Sequence, residues 1–368
     1  MKPRFHCWVA VALIAALASN SLAAESTDAP PVTDPTILLI RDDSVRTELD
    51  CTDKQRKSLD ALLHKHNRML LAIRDVSPSG ADATAQPALK EIRTALDELL
   101  TKDQKIRLQG LTLQAQGYDA LLRKDIIKAL KLTDEQQSKL GELGTQFRNR
   151  LHDLQQSGGE TLQAELPKMQ AERHKDTVAI LSPDQQDSYG RLLGEQFDFA
   201  KVIKSPAWAP EFLGIEEWIN SEPLTMESLK GKVVVVHFFA FGCSNCINNY
   251  PWYREWHDAF QGKDVTLIGI HTPETQTEED NNLLRDSLEK RELKFPVAVD
   301  KEKKMWSAWY NDIWPSVYII DKQGRVRYWW YGELDWQGAG NQRVARKQIE
   351  ELLAETAATE TATQAAAR

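Results

Sequence analysis

The chain has 368 residues, with 46 Lys and Arg against 54 Asp and Glu and a formal net charge of −8. An acidic balance of this kind excludes a nucleic-acid binder that works through a basic face. The length that remains after an N-terminal leader suits two domains.

Residues 1–24 carry Lys2 and Arg4, an apolar run from Trp8 to Ala18, and small residues at Ser21-Leu22-Ala23-Ala24. The run falls short of the roughly 20 apolar residues of a spanning helix, so it reads as a cleaved secretory signal peptide, with an uncleaved anchor as the competing reading. The expectation is an exported, periplasmic protein. Cys7 would leave with the leader, and Cys51 would remain as an odd thiol at a helix start.

Residues 35–200 are rich in Leu, Gln, Lys and Glu and hold no tryptophan, whereas ten of the eleven tryptophans follow Lys204. The composition changes near Ser205-Pro206, and residues 201–210 read as a linker. Four similar segments organise the helical half: Cys51-Thr52-Asp53-Lys54-Gln55, Leu100-Thr101-Lys102-Asp103-Gln104, Leu132-Thr133-Asp134-Glu135-Gln136 and Leu181-Ser182-Pro183-Asp184-Gln185. Their hydroxyl residues are spaced by 49, 32 and 49, so a unit of 81 residues occurs twice. Each segment predicts a helix start, in which Thr or Ser accepts from a free N–H of the first turn and Gln reaches back. Pro183 suits the first helical position. Apolar residues then recur at helical spacing, as in Leu140, Leu143, Phe147 and Leu151. Ser77-Pro78-Ser79-Gly80 and Ser157-Gly158-Gly159 read as breaks between helices at comparable places in the two copies. His64 and His66 point to different helix faces and make no metal site. The L-T-x-x-Q pattern resembles that of the CpxP/Spy proteins. That resemblance implies a helical domain linked to chaperoning; the competing reading is a platform that spaces the second half or forms a dimer.

The second half turns on one stretch, Val233 to Phe239 followed by Ala240-Phe241-Gly242-Cys243-Ser244-Asn245-Cys246. A branched and aromatic run predicts a buried strand, and it leads into C-x-x-C and a helix-like segment. Two intervening residues let both sulfurs lie on one helical turn, and a helix start favours thiolate over thiol. Cys243 is then the attacking sulfur and Cys246 the resolving one. A structural disulfide or half of a zinc site are the competing readings. Zinc lacks a second ligand pair, and structural bridges generally close longer loops.

Residues 211–354 resemble thioredoxin-like domains of the TlpA/ResA type, and most closely those fused to DipZ-type membrane proteins. The resemblance is carried by Trp218-Ile219-Asn220-Ser221, Leu229-Lys230-Gly231-Lys232, the stretch above, Ile268-Gly269-Ile270-His271-Thr272-Pro273-Glu274, Pro296 to Asp300, Trp314-Pro315-Ser316-Val317-Tyr318-Ile319-Ile320-Asp321 and Gly332-Glu333. It implies an α/β domain with a central mixed sheet flanked by helices, following an all-α N-terminal domain. It also implies thiol-disulfide exchange through a redox-active Cys243–Cys246 disulfide, with no other cofactor and no metal. Pro315 takes the family's cis-proline position, holding an incoming peptide beside Trp314, and Pro251 sits where the family kinks its active-site helix. Partners would be protein disulfides and a membrane-bound electron donor.

Three positions depart from thioredoxins: Gly242 for tryptophan, Ser244-Asn245 for a dipeptide ending in proline, and His237 for a buried aspartate. His237 is a candidate proton acceptor for Cys246, with a satisfied core histidine as the alternative. Glu274 and Trp252 are expected at the rim of the site, Glu274 either steering protons or standing as a solvated loop carboxylate.

The remaining elements are predicted as a strand at Glu216–Ser221, a β-α-β unit closing with Val265–His271, and a helix over Glu278–Arg291. Further on come a strand at Phe295–Val299, a short helix at Lys303–Tyr310, a hairpin about Asp321-Lys322-Gln323-Gly324, and a helix over Val344–Leu353. Residues 355–368 read as a disordered tail. A thiol-disulfide reductase is the leading expectation. A helical chaperone or scaffold with an accessory redox domain, and a peroxiredoxin-like peroxidase, are its rivals; the residues before Cys243 do not supply the P-x-x-x-T-x-x-C frame of the latter.

Overall fold

A computed structural model describes residues 35–355 apart from 73, 76, 77, 157, 158, 203, 204 and 206. The expected leader at 1–24 and the expected tail beyond Glu355 lie outside the described residues. Two compact units emerge, one formed by the chain up to His66 and Ile73–Lys204, the other by Asn67–Ala72 and Ser205 onward. Among the described residues no helix is long and apolar enough to cross a membrane.

The first unit is helical, and among the described residues four of its helices start at a hydroxyl residue. In order they are α1 (Thr36–Arg41), α2 (Asp43–Glu48), α3 (Asp53–Lys65), then, after α4 (Asn67–Ala72) of the other unit, α5 (Pro78–Leu99) and α6 (Lys102–Gln116). A 3-10 turn at Gly117–Leu122 leads to α7 (Lys124–Leu130), α8 (Asp134–Gln156), α9 (Gly159–Ile180) and α10 (Pro183–Leu193). Thr52, Thr101 and Ser182 each accept from the backbone N–H of the glutamine three residues on, which returns its Oε1 to their own N–H. Thr133 and Gln136 do the same at 3.2 and 3.1 Å. The element starts Thr36, Asp43, Asp53, Pro78 and Lys102 recur 81 residues later at Gly117, Lys124, Asp134, Gly159 and Pro183.

The capping glutamines also pair across the fold. Gln55 Nε2 donates to Gln104 Oε1 at 2.8 Å and to the carbonyl of Leu99 at 2.8 Å, while Gln104 Nε2 donates to the carbonyl of Leu49 at 2.9 Å. Gln136 and Gln185 repeat the arrangement, reaching the carbonyls of Ile180 and Leu130 at 2.8 and 3.1 Å. A capping box tolerates Glu or Gln, but only an amide also donates to a helix's last carbonyls.

The second copy of the spacing differs inside. Ile37, Leu63 and Ile92, all buried, correspond at 81 residues to Tyr118, Gly144 and Arg173. Arg173 donates to Asp119 at 2.5 Å and lies 4.7 Å over the Phe147 ring, and Arg148 stands 3.6 Å from the same carboxylate. A Cβ on Gly144 would come within 3.1 Å of Asp119 Oδ1, so the glycine makes room for the ion cluster.

In the second unit, six strands form one mixed sheet in the order β1-β4-β3-β2-β5-β6. They are β1 (Glu217–Ile219), β2 (Val233–Phe239), β3 (Val265–His271), β4 (Val297–Val299), β5 (Ser316–Ile320) and β6 (Val326–Tyr331), with α11 (Ser244–Ala259), α12 (Asn281–Lys290), α13 (Lys304–Ala308) and α14 (Asn341–Ala354). β2 runs parallel to β3, Val233 against Val265 through Phe239 against His271, and antiparallel to β5. Every β2 residue is buried, because both faces are covered. Val233, Val235 and Phe239 join Tyr250, Tyr253 and Trp256 of α11 and Ile349 and Leu352 of α14 in one core. On the other face the Phe238 ring lies 5.8 to 6.0 Å from those of Trp306, Trp309 and Tyr318.

Differences from the sequence expectations have local causes. The helix expected from Glu278 begins at Asn281, because Asp280 caps it by accepting from Asn282 N and Leu283 N. Trp208 bridges Arg325, Ala209 N donates to the Gly324 carbonyl, and Val326 N donates to that of Ala207, so the end of the 201–210 stretch lies along the hairpin. Asn67 exchanges two hydrogen bonds with the Trp208 backbone, at 2.9 and 3.0 Å, which accounts for α4 grouping with the second unit.

Replacing Gln136 by Glu should destabilise the helical unit by about 1–3 kcal/mol, since two carbonyl- and amide-directed donations are lost and a carboxylate is left facing oxygen. Chemical denaturation followed by far-UV circular dichroism checks this; an unchanged midpoint would show that the amide's donations contribute nothing.

Candidate active site

A buried strand delivers the dithiol and a helix start receives it. Cys243 is the N-cap of α11, with φ −68 and ψ 118, and its Sγ accepts from the Cys246 backbone N–H at 3.4 Å. Sulfur thus occupies the capping role that oxygen fills elsewhere in the chain. Cys243 is half-buried and Cys246 is 0 % exposed, packed with Tyr250 and Phe239 in the core.

This asymmetry separates the two sulfurs chemically. The hydrogen bond shared with the Cys246 thiol, helped by the N–H groups of Cys246 and Asn245, outweighs burial and pulls Cys243 down from 9.0 to about 7. Burial, then the same shared bond, pushes Cys246 far upward. Glu274 is exposed and near enough for its charge to oppose ionisation of both sulfurs.

The Trp314–Pro315 peptide bond is cis. Trp314 is half-buried against the dithiol core, stacks on Trp306 with centroids 3.8 Å apart, and donates Nε1–H to the carbonyl of Thr272 at 3.1 Å. That carbonyl belongs to the loop after β3, whose Thr272 N donates back to Phe239 at 2.9 Å. Trp252 lies half-buried on α11 beside the same core. Pro251 lies inside α11 without ending it.

His237 is not placed as a proton acceptor. Its ring stacks on Tyr253 with centroids 4.1 Å apart and sits edge-on to Phe295, and neither ring nitrogen has a hydrogen-bond partner among the described residues. Burial lowers its pKa from 6.5 to about 3, so the imidazole stays neutral and a poor base. It is a core histidine, but an unsatisfied one, which corrects both forms of the expectation.

Two residues that sequence reasoning passed over hold the site together. Glu278 is 4 % exposed; its Oε1 accepts from Gly242 N at 2.8 Å, and its Oε2 accepts from Glu274 N and Thr275 N at 2.9 and 2.8 Å. Burial raises its pKa, but these N–H groups outweigh burial and hold it below the usual range. Asn249, buried on α11, donates to the Gly332 carbonyl at 3.1 Å and accepts from Leu334 N at 2.9 Å, tying the helix to the chain after β6. The spacing of Thr275 and Glu278, a hydroxyl with Glu three residues on, was the one signal available for Glu278. Among the described residues no cluster of His, Cys, Asp and Glu could hold a metal ion.

The His237 environment fixes a pH dependence. The unfolded chain takes up a proton near the ordinary 6.5 while the folded chain resists it until about 3, so stability is complete above 6.5 and falls as pH drops below it. At pH 4.5 the loss from this group should be about 2–3 kcal/mol. In His237→Phe the difference in stability between pH 7 and pH 4.5, read from urea unfolding by tryptophan fluorescence, should shrink by that amount; an equal difference in both proteins would refute the assignment.

Comparison with known proteins adds the family. Residues 209–329 match the AhpC/TSA family. Protein DipZ of Mycobacterium tuberculosis is 33% identical over 142 residues, which are 38% of this chain and 20% of DipZ, so the chain spans about a fifth of that relative. The thiol-disulfide oxidoreductase YkuV of Bacillus subtilis is 28% identical over 148 residues, 40% of this chain and 95% of YkuV. A crystal structure of a thiol-disulfide isomerase from Corynebacterium glutamicum is 31% identical, with TM-score 0.36, covering 40% of this chain and 98% of that one. With its six-stranded mixed sheet, flanking helices and this sequence similarity, the C-terminal unit is a thioredoxin-like domain of the AhpC/TSA family.

Proposed function

We propose that the protein is an exported thiol-disulfide oxidoreductase that reduces disulfides in other proteins through Cys243 and Cys246. The observation that carries the reading is the inequality of the two sulfurs: one half-exposed, capping a helix and titrating at about 7, the other fully buried and held protonated. A nucleophile whose pKa lies near ambient pH combines thiolate content with retained nucleophilicity.

The Cys243 thiolate attacks one sulfur of the substrate disulfide, forming a mixed disulfide and expelling the other sulfur, which takes the Cys246 proton. Cys246 then attacks Cys243 Sγ, releases the second substrate sulfur and leaves the Cys243–Cys246 disulfide. Two electrons have passed to the substrate, and a donor dithiol must return them. Pro315 and Trp314 would hold the substrate backbone at the edge of the dithiol, with Glu274 at the rim. A membrane-bound donor and a periplasmic setting belong to the same reading, as does a helical unit, built from two 81-residue copies, that serves as a platform or dimer surface.

Iodoacetamide should modify Cys243 and spare Cys246 in the reduced protein. Because the Cys243 pKa is lowered, its rate should rise with pH through about 7. At pH 7 roughly half of it is thiolate, against on the order of one per cent for a thiol at its ordinary value. Cys243→Ser should abolish disulfide reduction, and Cys246→Ser should trap a protein partner on Cys243. Full reductase activity in both variants would overturn the proposal.

A further inference from the structure

We propose that Glu278 is a positioning residue for the dithiol: its carboxylate fastens the loop after β3 to the turn carrying Cys243, and so fixes how closely the Glu274 carboxylate stands to the two sulfurs. The inference rests on the thiol-disulfide reading above and adds the device that tunes it.

The carboxylate is divided between two segments of chain. One oxygen takes Gly242 N–H, the residue before Cys243, at 2.8 Å. The other gathers Glu274 N at 2.9 Å, Thr275 N at 2.8 Å and Thr275 Oγ1 at 3.1 Å. The main chain of Glu278 is held as well, since its carbonyl accepts from His271 Nε2, the last residue of β3, at 2.9 Å. A charged acceptor with both oxygens engaged suits this task, and a glutamine would turn an NH2 group toward one set of N–H donors.

Gly242 is part of the same device. A Cβ there would lie 2.9 Å from Glu278 Oε1 and 3.6 Å from its Cδ, so the absent side chain is the space through which the carboxylate reaches the backbone. Both segments emerge at the carboxyl ends of the parallel strands β2 and β3. The ionisable groups that face the sulfurs are Glu274 from the loop and Tyr250 and Tyr253 from α11. Burial keeps both tyrosines protonated, so Glu274 is the charge whose distance matters. It opposes ionisation of Cys243 and Cys246 alike. Loosening the fastening lets that charge withdraw.

The test is a double-mutant cycle on the full reduced chain, with the pH profile of Cys243 alkylation by iodoacetamide as readout, a quantity that lost stability alone does not shift. Glu274→Gln in the wild-type background should lower the apparent pKa and raise the rate at pH 6 roughly twofold to fivefold. Glu278→Gln should produce a shift in the same direction, and adding Glu274→Gln to it should produce little more. Gly242→Ala, which displaces the carboxylate while leaving Glu278 intact, should erase the Glu274 effect in the same way and covers the case in which Glu278→Gln fails to fold. A Glu274→Gln effect of equal size in all backgrounds, or none in the wild type, would overturn the proposal. A chain that alkylates as expected yet reduces no disulfide would instead overturn the functional reading and leave the positioning role standing.

Discussion

The C-terminal unit is organised around the start of α11, where the two thiols share a hydrogen bond that draws Cys243 toward thiolate, supported by a bond from the Cys246 backbone N–H to the Cys243 sulfur at 3.4 Å. The backbone bond has the form of those that start α3, α6 and α10, where Thr52, Thr101 and Ser182 accept from the N–H three residues ahead at 3.3 Å each. In those helices the third residue is a glutamine that reaches back to the cap. In α11 the third residue is Cys246, and what it shares with the cap is a thiol hydrogen bond. C-x-x-C is in this sense a capping box written in sulfur. The geometry that satisfies a helix end also stabilises a thiolate, and in the proposed exchange the shared bond would give way to a covalent one.

A cap alone would lower one thiol without silencing the other. Silencing comes from the sheet. β2 is buried on both faces, and α11 lies across the face lined by Val233, Val235 and Phe239, so a residue one turn into the helix has nowhere to point but the core. Burial therefore opposes ionisation at Cys246 most strongly, while Cys243, at the sheet's open end, feels it second to the hydrogen bond. The same face has a cost upstream at His237, whose two nitrogens are enclosed by rings of Tyr253, Phe239 and Phe295. An aliphatic or aromatic side chain would fill that space without the penalty of an orphaned polar group.

What could be read in the sequence was what is local. The strand from Val233, the dithiol, the β-α-β unit and the hairpin at Asp321 are encoded within a few residues of themselves, and the structure places them within a residue or two of expectation. The helix starts at Thr52, Thr101 and Ser182 were visible for the same reason. Contacts between distant segments were not. Glu278 looked like the first charged residue of an amphipathic helix, because nothing near it shows that Gly242, 36 residues away, lacks a side chain in order to receive it. For His237 the resemblance gave a buried position, but the identity of the ring that faces it, Tyr253, is decided by how α11 packs on β2. The glutamines of the capping boxes were legible as caps, whereas their pairing 49 residues apart required the helices to be packed.

These observations shift where redox tuning is sought in this domain. The dipeptide between the cysteines is the usual place to look, and here Ser244 and Asn245 are both exposed, with the Asn245 N–H among the smaller influences on Cys243. The opposing charge comes from Glu274, outside the motif, at the end of a parallel neighbour of β2. A loop after a parallel strand can carry such a charge because parallel strands bring their carboxyl ends, and the loops that follow, to one edge of the sheet. The fold thus offers two separable controls on the same sulfur. The helix start supplies the pull toward thiolate, and the neighbouring loop supplies the restraint. Since the loop is anchored by Glu278 rather than by the dithiol itself, the restraint can change by substitutions that leave C-x-x-C untouched.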